Sequence, residues 1–477
     1  MKTYSVSSII ELSVISMFLL LSGCATVGQN YVRPTAEVPA KWHASHKESI
    51  STEKVNPEAL AKWWSTLNDE TLSSLIERGI AGNPNLQQAE ARIREARARR
   101  AVSKANLFPT FNGTGSVNRS STDNGSGNNQ SSTLYSAEFD AIWEMDIFGR
   151  TRRSLESSEA TLQADHEDLR DVLVSLQAEV ALNYVETRTY QARISVAEEN
   201  LKIQEETYQI TQWRYQSGLG DELAVHQALY NLESTRAQIP ALRIGLEESL
   251  NRIAILLGKQ PGQIHEELKV QKPIPVVPQK ITIGIPADIV RQRPDIRRAE
   301  RELAAQAAKV GVAMADLYPK FSISGLLRAS SDALFASGTR SSDIGSKINI
   351  PIFNGGSLRQ NVKIQQAIQD QYLIKYKTVI LNALEEVENT LTSFSEEQNA
   401  RDNLQMCVHV AQKAADLAKN KYQSGLADFG DVLDAQRSLL LFEEQLVQSN
   451  GTLVMDMIRL YKAIGGGWTS QTEDAGN

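Results

Sequence analysis

Cysteine is nearly missing from this chain: two residues in 477, Cys24 and Cys407. That excludes a disulfide framework and any zinc site built from several thiolates. Basic residues hold no majority either. Lys plus Arg is 50 against 57 for Asp plus Glu, a formal net charge of -7. With no cation excess to neutralise phosphates, the composition speaks against a nucleic-acid partner. No run of 18 apolar residues occurs, so no transmembrane helix is expected. Catalytic signatures are missing too. There is no GxxxxGK[ST] loop, no HExxH among the six histidines, and nothing local that orders Ser, His and Asp into a triad. The seven methionines do not cluster. An enzyme has no motif to rest on, and no catalytic residue, cofactor or metal site is expected. What remains, 41% hydrophobic and 22% charged, suffices for a packed core. Length alone allows two or three domains.

The amino terminus sets the compartment. Lys2 precedes the apolar run Leu12–Leu21, which is too short to cross a bilayer and reads as a secretory signal peptide, residues 1–23. The run ends Leu21-Ser22-Gly23-Cys24. Small residues before a single Cys resemble the bacterial lipobox, in which the Cys is lipidated (with palmitate among its acyl chains) and becomes the new amino terminus. Cys24 is therefore the expected lipidation site; the alternative is plain secretory cleavage beside a chance Cys. Each buried CH₂ contributes about 0.8 kcal/mol, so several chains make a firm anchor. Ala25 in place of Asp after the Cys implies, by the same resemblance, sorting to the outer membrane.

The chain is also written twice. Residues 83–112 align with 293–322 at an offset of 210: Pro84, Ala89, Glu90, Ala98, Val102, Ala105, Leu107, Pro109 and Phe111 match Pro294, Ala299, Glu300, Ala308, Val312, Ala315, Leu317, Pro319 and Phe321. Tyr215-Gln216-Ser217-Gly218-Leu219 recurs as Tyr422-Gln423-Ser424-Gly425-Leu426 at an offset of 207, with Asp221, Val225 and Ala228 in register with Asp428, Val432 and Ala435. Each copy predicts the same order. A Pro-started helix runs from Pro84 to about Asn106 and from Pro294 to about Asp316. Gly/Ser-rich stretches with period-two alternation follow. Then comes a very long helix, about 154–216 and 357–423, close to 100 Å at 1.5 Å per residue. Gly218 and Gly425 end these helices, and return helices follow over about 222–257 and 429–463, the first containing Pro240. Helices of that length belong to a coiled coil, a rod or the wall of something long, and helical pattern alone leaves the choice open.

The alternating stretches carry the rest. Tyr135, Ala137, Phe139, Ala141 and Trp143 alternate with Ser136, Glu138 and Asp140. Ile344, Ile348 and Ile350 alternate with Gly345, Lys347 and Asn349, and Phe321, Ile323 and Leu327 with Ser322 and Ser324. This is the weak signature of transmembrane strands; a soluble hairpin with one wet face is the alternative. Ser120–Ser132 and Ala333–Asp343 read as polar loops. Four strands cannot close a membrane barrel, and open edges are not tolerated in lipid, so if these hairpins span a membrane the protein must oligomerise. Two, three or four copies would serve, with eight, twelve or sixteen strands.

Trp143-Glu144-Met145-Asp146-Ile147-Phe148-Gly149-Arg150 resembles the strand-to-helix signature of outer-membrane efflux lipoproteins, the OprM-like, NodT-type branch of the TolC superfamily. Pro351-Ile352-Phe353-Asn354-Gly355-Gly356 is similar to its second-copy counterpart. Gly284-Ile285-Pro286-Ala287-Asp288 through Arg293-Pro294-Asp295-Ile296-Arg297 is similar to the stretch that opens the second copy, and Gln238-Ile239-Pro240-Ala241-Leu242 fits as well. The resemblance spans nearly the whole mature chain. It implies a mainly α fold with membrane β: a homotrimer whose subunits each give four strands to a 12-stranded β-barrel in the outer membrane and long helices to a periplasmic α-helical barrel. It implies a passive exit duct for small molecules such as drugs, served by an inner-membrane RND-type pump and a periplasmic adaptor (membrane fusion) protein, with outer-membrane lipids around the barrel. The alternatives are a type I secretion-like duct and a structural periplasmic lipoprotein without a pore. The expected organisation is signal peptide 1–23; lipidated segment and part of an equatorial girdle 24–82; first repeat 83–257; linker 258–292; second repeat 293–463; and a tail 464–477, equatorial or disordered. Trp42, Trp63 and Trp64 are expected as packing anchors.

Function in such a duct sits at its closing end and its lining. Asp431 and Asp434 lie three apart on one helical face and match the family's gate segment, here Asp431-Val432-Leu433-Asp434-Ala435-Gln436. In a trimer they would form stacked carboxylate rings; the alternative is two first-turn acids favoured by the helix dipole. Gly430 puts no bulky plug at its position. The turns bearing Gly218, Leu219, Gly425 and Leu426 are the expected adaptor-docking tips, although plain hairpin chemistry also calls for Gly there. Glu138, Asp140, Lys347 and Asn349 are expected to line the barrel lumen, where a solvated face would explain them equally.

Overall fold

A computed structural model describes residues 26–44, 50–53, 56–123 and 129–468. The expected signal segment and Cys24 lie outside the described residues. In chain order the elements are β1 (Ile50–Ser51), α1 (Pro57–Ala61), α2 (Glu70–Gly82), α3 (Pro84–Ala105), β2 (Thr110–Asp123), β3 (Asn129–Met145), α4 (Arg150–Gln216), α5 (Glu222–Leu256), α6 (His265–Leu268), β4 (Ile281–Thr282), α7 (Pro286–Gln292), α8 (Pro294–Ala315), β5 (Lys320–Ser331), β6 (Thr339–Asn349), α9 (Ser357–Gln423) and α10 (Phe429–Ala463). A 3₁₀ turn, Trp63–Leu67, separates α1 from α2.

Helix lengths repeat between the halves. α3 and α8 have 22 residues each, α4 and α9 have 67, and α5 and α10 have 35. Local chemistry sets these boundaries. Pro84 and Pro294 open α3 and α8, and Asn83 Oδ1 accepts from the amides of Asn85 and Leu86. α4 starts four residues earlier than the pattern suggested, because the Asp146 carboxylate accepts from the amides of Thr151 and Arg152 and caps the helix there. α5 runs through Pro240. Both long helices end alike: Gly218 and Gly425 take φ of 70° and 73°, and the Leu219 and Leu426 amides reach back to the carbonyls of Arg214 and Lys421 at 2.8 Å. That is the six-to-one bond of a Schellman end, which favours Gly because a Cβ is strained at positive φ.

The described residues form two compact units. One holds residues up to Thr35, Ala91–His166 and Arg298–Thr378; the other holds Ala36–Glu90, Glu167–Arg297 and the chain from Val379. The first contains an antiparallel sheet in the order β2-β3-β5-β6. Its ladders run further than the sequence pattern indicated. Ser120 pairs with Ser132 and Asp123 with Asn129, while Thr339 pairs with Ser330 and Asp343 with Leu326. Much of both expected polar loops is therefore paired strand. Ser and Thr satisfy the ladder through their backbone, and Ser120 and Ser132 also hydrogen-bond through their hydroxyls at 2.9 Å.

The second unit holds the large core. Trp42, Leu72, Leu75, Ile76, Val180, Tyr184, Ile253, Ile281, Phe394, Met457 and Ile464 are among its buried members. The three tryptophans pack as expected: Trp63 stacks on Tyr461 at 5.5 Å, Trp64 meets Trp63 edge-on at 5.9 Å, and the Trp42 indole donates to the Gly284 carbonyl at 3.0 Å. Arg293 lies in the stretch that opens the second half. It donates to Glu386 at 2.6 Å, to the Ala463 carbonyl at 2.7 Å and to Asp295 at 2.8 Å. Burial alone would lower its pKa, but Asp295 and Glu386 overcome that and raise it. Near the carboxyl end, the guanidiniums of Arg170 and Arg297 lie 4.7 Å and 5.0 Å from the Trp468 ring, and Gln177 donates to the Gly467 carbonyl at 3.0 Å. Residues 469–477 of the expected tail lie outside the described residues.

The Tyr184 hydroxyl donates to Asp69 at 2.6 Å, while Asp69 also caps α2. Burial, then the Asp69 hydrogen bond, push the Tyr184 hydroxyl up to about 12 from 10.0. A raised folded-state pKa contributes stability below the unfolded value and loses it as pH rises through the folded one. Stability in detergent is expected to fall between about pH 10 and 12. Tyr184→Phe should flatten part of that fall while costing about 0.5–1.5 kcal/mol at neutral pH, read from urea unfolding.

Candidate functional site

Strand alternation and register assign the two faces of the sheet. Residues opposite one another in a ladder share a face. One face carries Phe111, Val117, Tyr135, Phe139, Trp143, Phe321, Ile323, Leu327, Ile344 and Ile348. Phe111 is 78% exposed, Phe139 68% and Ile344 90%, so nothing among the described residues covers these side chains. The other face carries Asn112, Ser116, Ser136, Ser322, Arg328 and Ser341 with Glu138, Asp140, Lys347 and Asn349. The four expected lining residues thus fall on one polar face. Glu138 pairs with Arg328 at 2.7 Å, and Asn112 donates to Asp140 at 3.0 Å. Ile142, Leu134 and Leu326 are the apolar exceptions there. β2 and β6 end the sheet, and neither outer edge has a partner strand among the described residues.

In the other unit, the turns after α4 and α9 stand over a small core of Ala224, Ala228, Tyr422, Phe429, Val432 and Leu433. Tyr422 and Phe429 meet edge to face at 5.5 Å. Arg214 lies 4.6 Å from the Tyr422 ring and donates to the Tyr422 carbonyl at 3.1 Å and the Leu219 carbonyl at 3.4 Å, tying the two turns together. The expected docking residues Leu219 and Leu426 project from the turns, 72% and 78% exposed. A Cβ added at Gly218, Gly425 or Gly430 would meet nothing within 4 Å.

Asp431 and Asp434 both face solvent, while Val432 and Leu433 between them are buried. Neither carboxylate has a hydrogen-bond or ion-pair partner among the described residues. Three residues on, Arg437 donates to Asn231 at 3.1 Å and to the Tyr230 hydroxyl, 4.9 Å from that ring. Gln436 donates to Thr207 at 3.0 Å. The two exposed carboxylates thus stand on a stretch of α10 that is anchored on α4 and α5 behind them. Arg214 and Arg437 were not singled out from sequence, and Gln436 entered only as the last residue of the matched gate segment. A long polar side chain on a helix reads the same whether it points to water or to a neighbouring helix.

Further along α10 several carboxylates are held half-dry. Burial raises Glu443, with Glu199 adding to the rise and the Asn200 amide, 2.8 Å away, opposing it. Burial likewise raises Asp456 on α10 and Glu186 on α4, each opposed by Arg459. No cluster of metal-ligating side chains occurs among the described residues.

The family model described as "Outer membrane efflux protein" matches residues 75–259 and 285–466. "Nodulation protein T" of Rhizobium leguminosarum bv. trifolii is 34% identical over 94% of this chain and 96% of its own length. "Probable outer membrane lipoprotein SilC" of Salmonella typhimurium is 30% identical over 96% of this chain and 99% of its own. The solved structure of the outer-membrane channel OprN superposes with a TM-score of 0.86 at 33% identity, covering 93% of this chain and all of that one.

Glu443 offers a test of the buried polar line. A carboxylate whose folded pKa is raised is ionised at a cost at neutral pH, and folding is relieved as pH falls toward its unfolded value of 4.5. Glu443→Gln is therefore expected to raise the melting temperature at pH 7. Near pH 4 the difference from wild type should vanish, as followed by circular dichroism.

Proposed function

The chain belongs to the outer membrane efflux protein family, and from that premise we propose that it is the exit duct of a tripartite efflux system. An inner-membrane RND-type pump hands small molecules over through a periplasmic adaptor, and this protein conducts them passively across the outer membrane. The observation that carries the reading is the sheet: four strands, two unpaired edges, one bare apolar face and one polar face. In lipid every backbone N–H and C=O needs a partner, so the edges must close on other copies. Three copies join β2 of one to β6 of the next in a 12-stranded barrel, apolar face to lipid and Glu138, Asp140, Lys347 and Asn349 to the lumen. Exposed apolar side chains on α5 (Leu223, Tyr230, Ile244) and on α9 (Met406, Val410, Leu417) suit contacts between the same copies. A rod without a pore would leave the apolar sheet face in water, which disfavours that alternative. Lipid chains on Cys24 anchor the amino terminus, in keeping with the lipoprotein name of one relative.

Asp431 and Asp434 are the closing end of this duct. Three copies bring six carboxylates around one axis, a ring that binds cations and, bridged by them, holds the resting end closed. Unpartnered within the subunit and anchored from behind by Gln436 and Arg437, they are free to face one another across that axis. In a strain lacking its own exit duct, the wild-type protein should restore drug resistance and run as a heat-modifiable trimer. Asp434→Ala is expected to change resting single-channel conductance in planar bilayers several-fold and to admit vancomycin. Unchanged conductance and leak would leave Asp434 as an ordinary first-turn acid.

The two exposed turns dock the adaptor. In Gly218→Val combined with Gly425→Val the added Cβ atoms meet nothing within 4 Å, and the cost at positive φ is backbone strain of about 1–2 kcal/mol per site. Efflux should be lost while the heat-modifiable trimer persists. Surviving efflux would move the docking surface elsewhere.

A further inference from the structure

The strand-to-helix signature that closes on Gly149-Arg150 continues with two more arginines, Arg152 and Arg153, and the duct reading uses none of them. Two pair with one carboxylate each. Arg150 donates to Asp316 at 3.0 Å, and Arg152 pairs with Asp146 at 3.2 Å. Arg153 is different: it is 3% exposed, and most of its hydrogen bonds go to a segment more than a hundred residues away. Its Nε donates to the Val27 carbonyl at 3.2 Å, and its Nη2 to the Gly28 carbonyl and to Asn30 Oδ1, both at 3.0 Å. Only Nη1 turns to its own helix, to Glu156 at 2.6 Å.

The segment it grips, Thr26–Tyr31, has no regular secondary structure of its own. It is fastened at three further points. The Val27 amide donates to the Phe148 carbonyl at 3.0 Å. The Tyr31 hydroxyl donates to the buried Glu300 at 2.6 Å, and Tyr31 packs on Ala160, Ala304 and Ala305. Backbones come together where side chains are missing: a Cβ on Gly149 would lie 3.0 Å from Thr26 Cα, one on Gly28 would lie 3.1 Å from Gly311 Cα, and one on Gly311 would lie 2.9 Å from Arg153 Cδ. This is a built slot for a peptide strap, lined by the turn between β3 and α4 and by α8.

We propose that Arg153 is the positioning residue for the acylated amino terminus: it clamps the strap so that acyl chains on Cys24 leave the protein at the base of the sheet. The proposal rests on the reading of Cys24 as the lipidated residue. Cys24 precedes Thr26 by two residues, at most about 7 Å of extended chain. The same end of the sheet carries Phe111, Trp143 and Phe321, with the stacked pair Phe148 and Tyr318 at 4.8 Å beyond it. Aromatic side chains gather at membrane interfaces. An anchor two residues before this strap would enter the same leaflet as the sheet, because the strap from Thr26 on is a fixed part of the fold. A guanidinium suits the task because its planar fork serves several acceptors at once, and an ammonium does not.

Hydrogen exchange of the full-length protein from outer membranes tests this. Arg153→Ala should raise exchange of the Val27–Tyr31 amides at least tenfold and leave α4 amides at wild-type protection; Arg153→Lys should fall between. Glu156→Ala, which spares the three strap bonds, should behave as wild type. Cys24→Ser should also keep strap protection, because the strap is held from the protein side. Unchanged exchange in Arg153→Ala, or collapsed protection in Cys24→Ser, would overturn the role of Arg153. Radiolabelled palmitate should enter the wild type and be absent from Cys24→Ser. A wild type without label would remove the lipid and leave the strap measurements to judge Arg153 alone.

Discussion

A β-strand at the edge of a sheet presents a row of unpaired N–H and C=O groups, and in hydrocarbon each unpaired group costs several kcal/mol. This chain builds a four-stranded sheet with two such edges and one bare apolar face. No other element of the subunit pairs with either edge among the described residues. The same deficit recurs in side chains along α5 and α9, which stay exposed although they are apolar. The proposed duct answers this deficit, because other copies of the chain would pair the open edges and cover the apolar side chains.

What the subunit does complete by itself is its large core. The tryptophans, Tyr184 over Asp69, and Arg293 among Asp295, Glu386 and the Ala463 carbonyl tie early, middle and late segments together. Arg293 sits where the second half begins, and it joins that start to the end of the same half at Ala463. The polar contacts around α10 serve another purpose. Gln436 and Arg437 hold the backbone behind Asp431 and Asp434, and neither carboxylate has a partner among the described residues.

Much of this was legible in the residues. The repeat offset falls from 210 to 207 between Pro84/Pro294 and Arg150/Ser357, so the three-residue difference lies in the hairpins, where turns tolerate it. Glycine at 218 and 425, proline at 84 and 294, and the alternation Tyr135–Trp143 each have a local physical cause, and each landed where expected. The polar flanks of the hairpins did not. Ser120–Asp123 and Thr339–Asp343 looked like loops because their side chains carry no apolar signal, yet their backbones are paired. The four polar residues of the sheet were legible as one face because period two is a property of the strand alone. The clamp on the amino-terminal strap was not legible: Arg153, Gly28 and Gly311 are scattered in the chain, and none is unusual for its neighbours.

The sequence by itself determined the long helices and their carboxyl-terminal ends, the two-faced strands and the repeated order, because capping, φ preference and periodicity act within a few residues. Only the tertiary structure decided which long polar side chains turn inward, how far the ladders extend, and where the amino terminus is held. Those outcomes depend on pairs of residues tens to hundreds of positions apart, such as Arg153 with Gly28 and Tyr31 with Glu300, and a hydrogen bond between them exists only once the backbone has brought its donor and acceptor within about 3 Å.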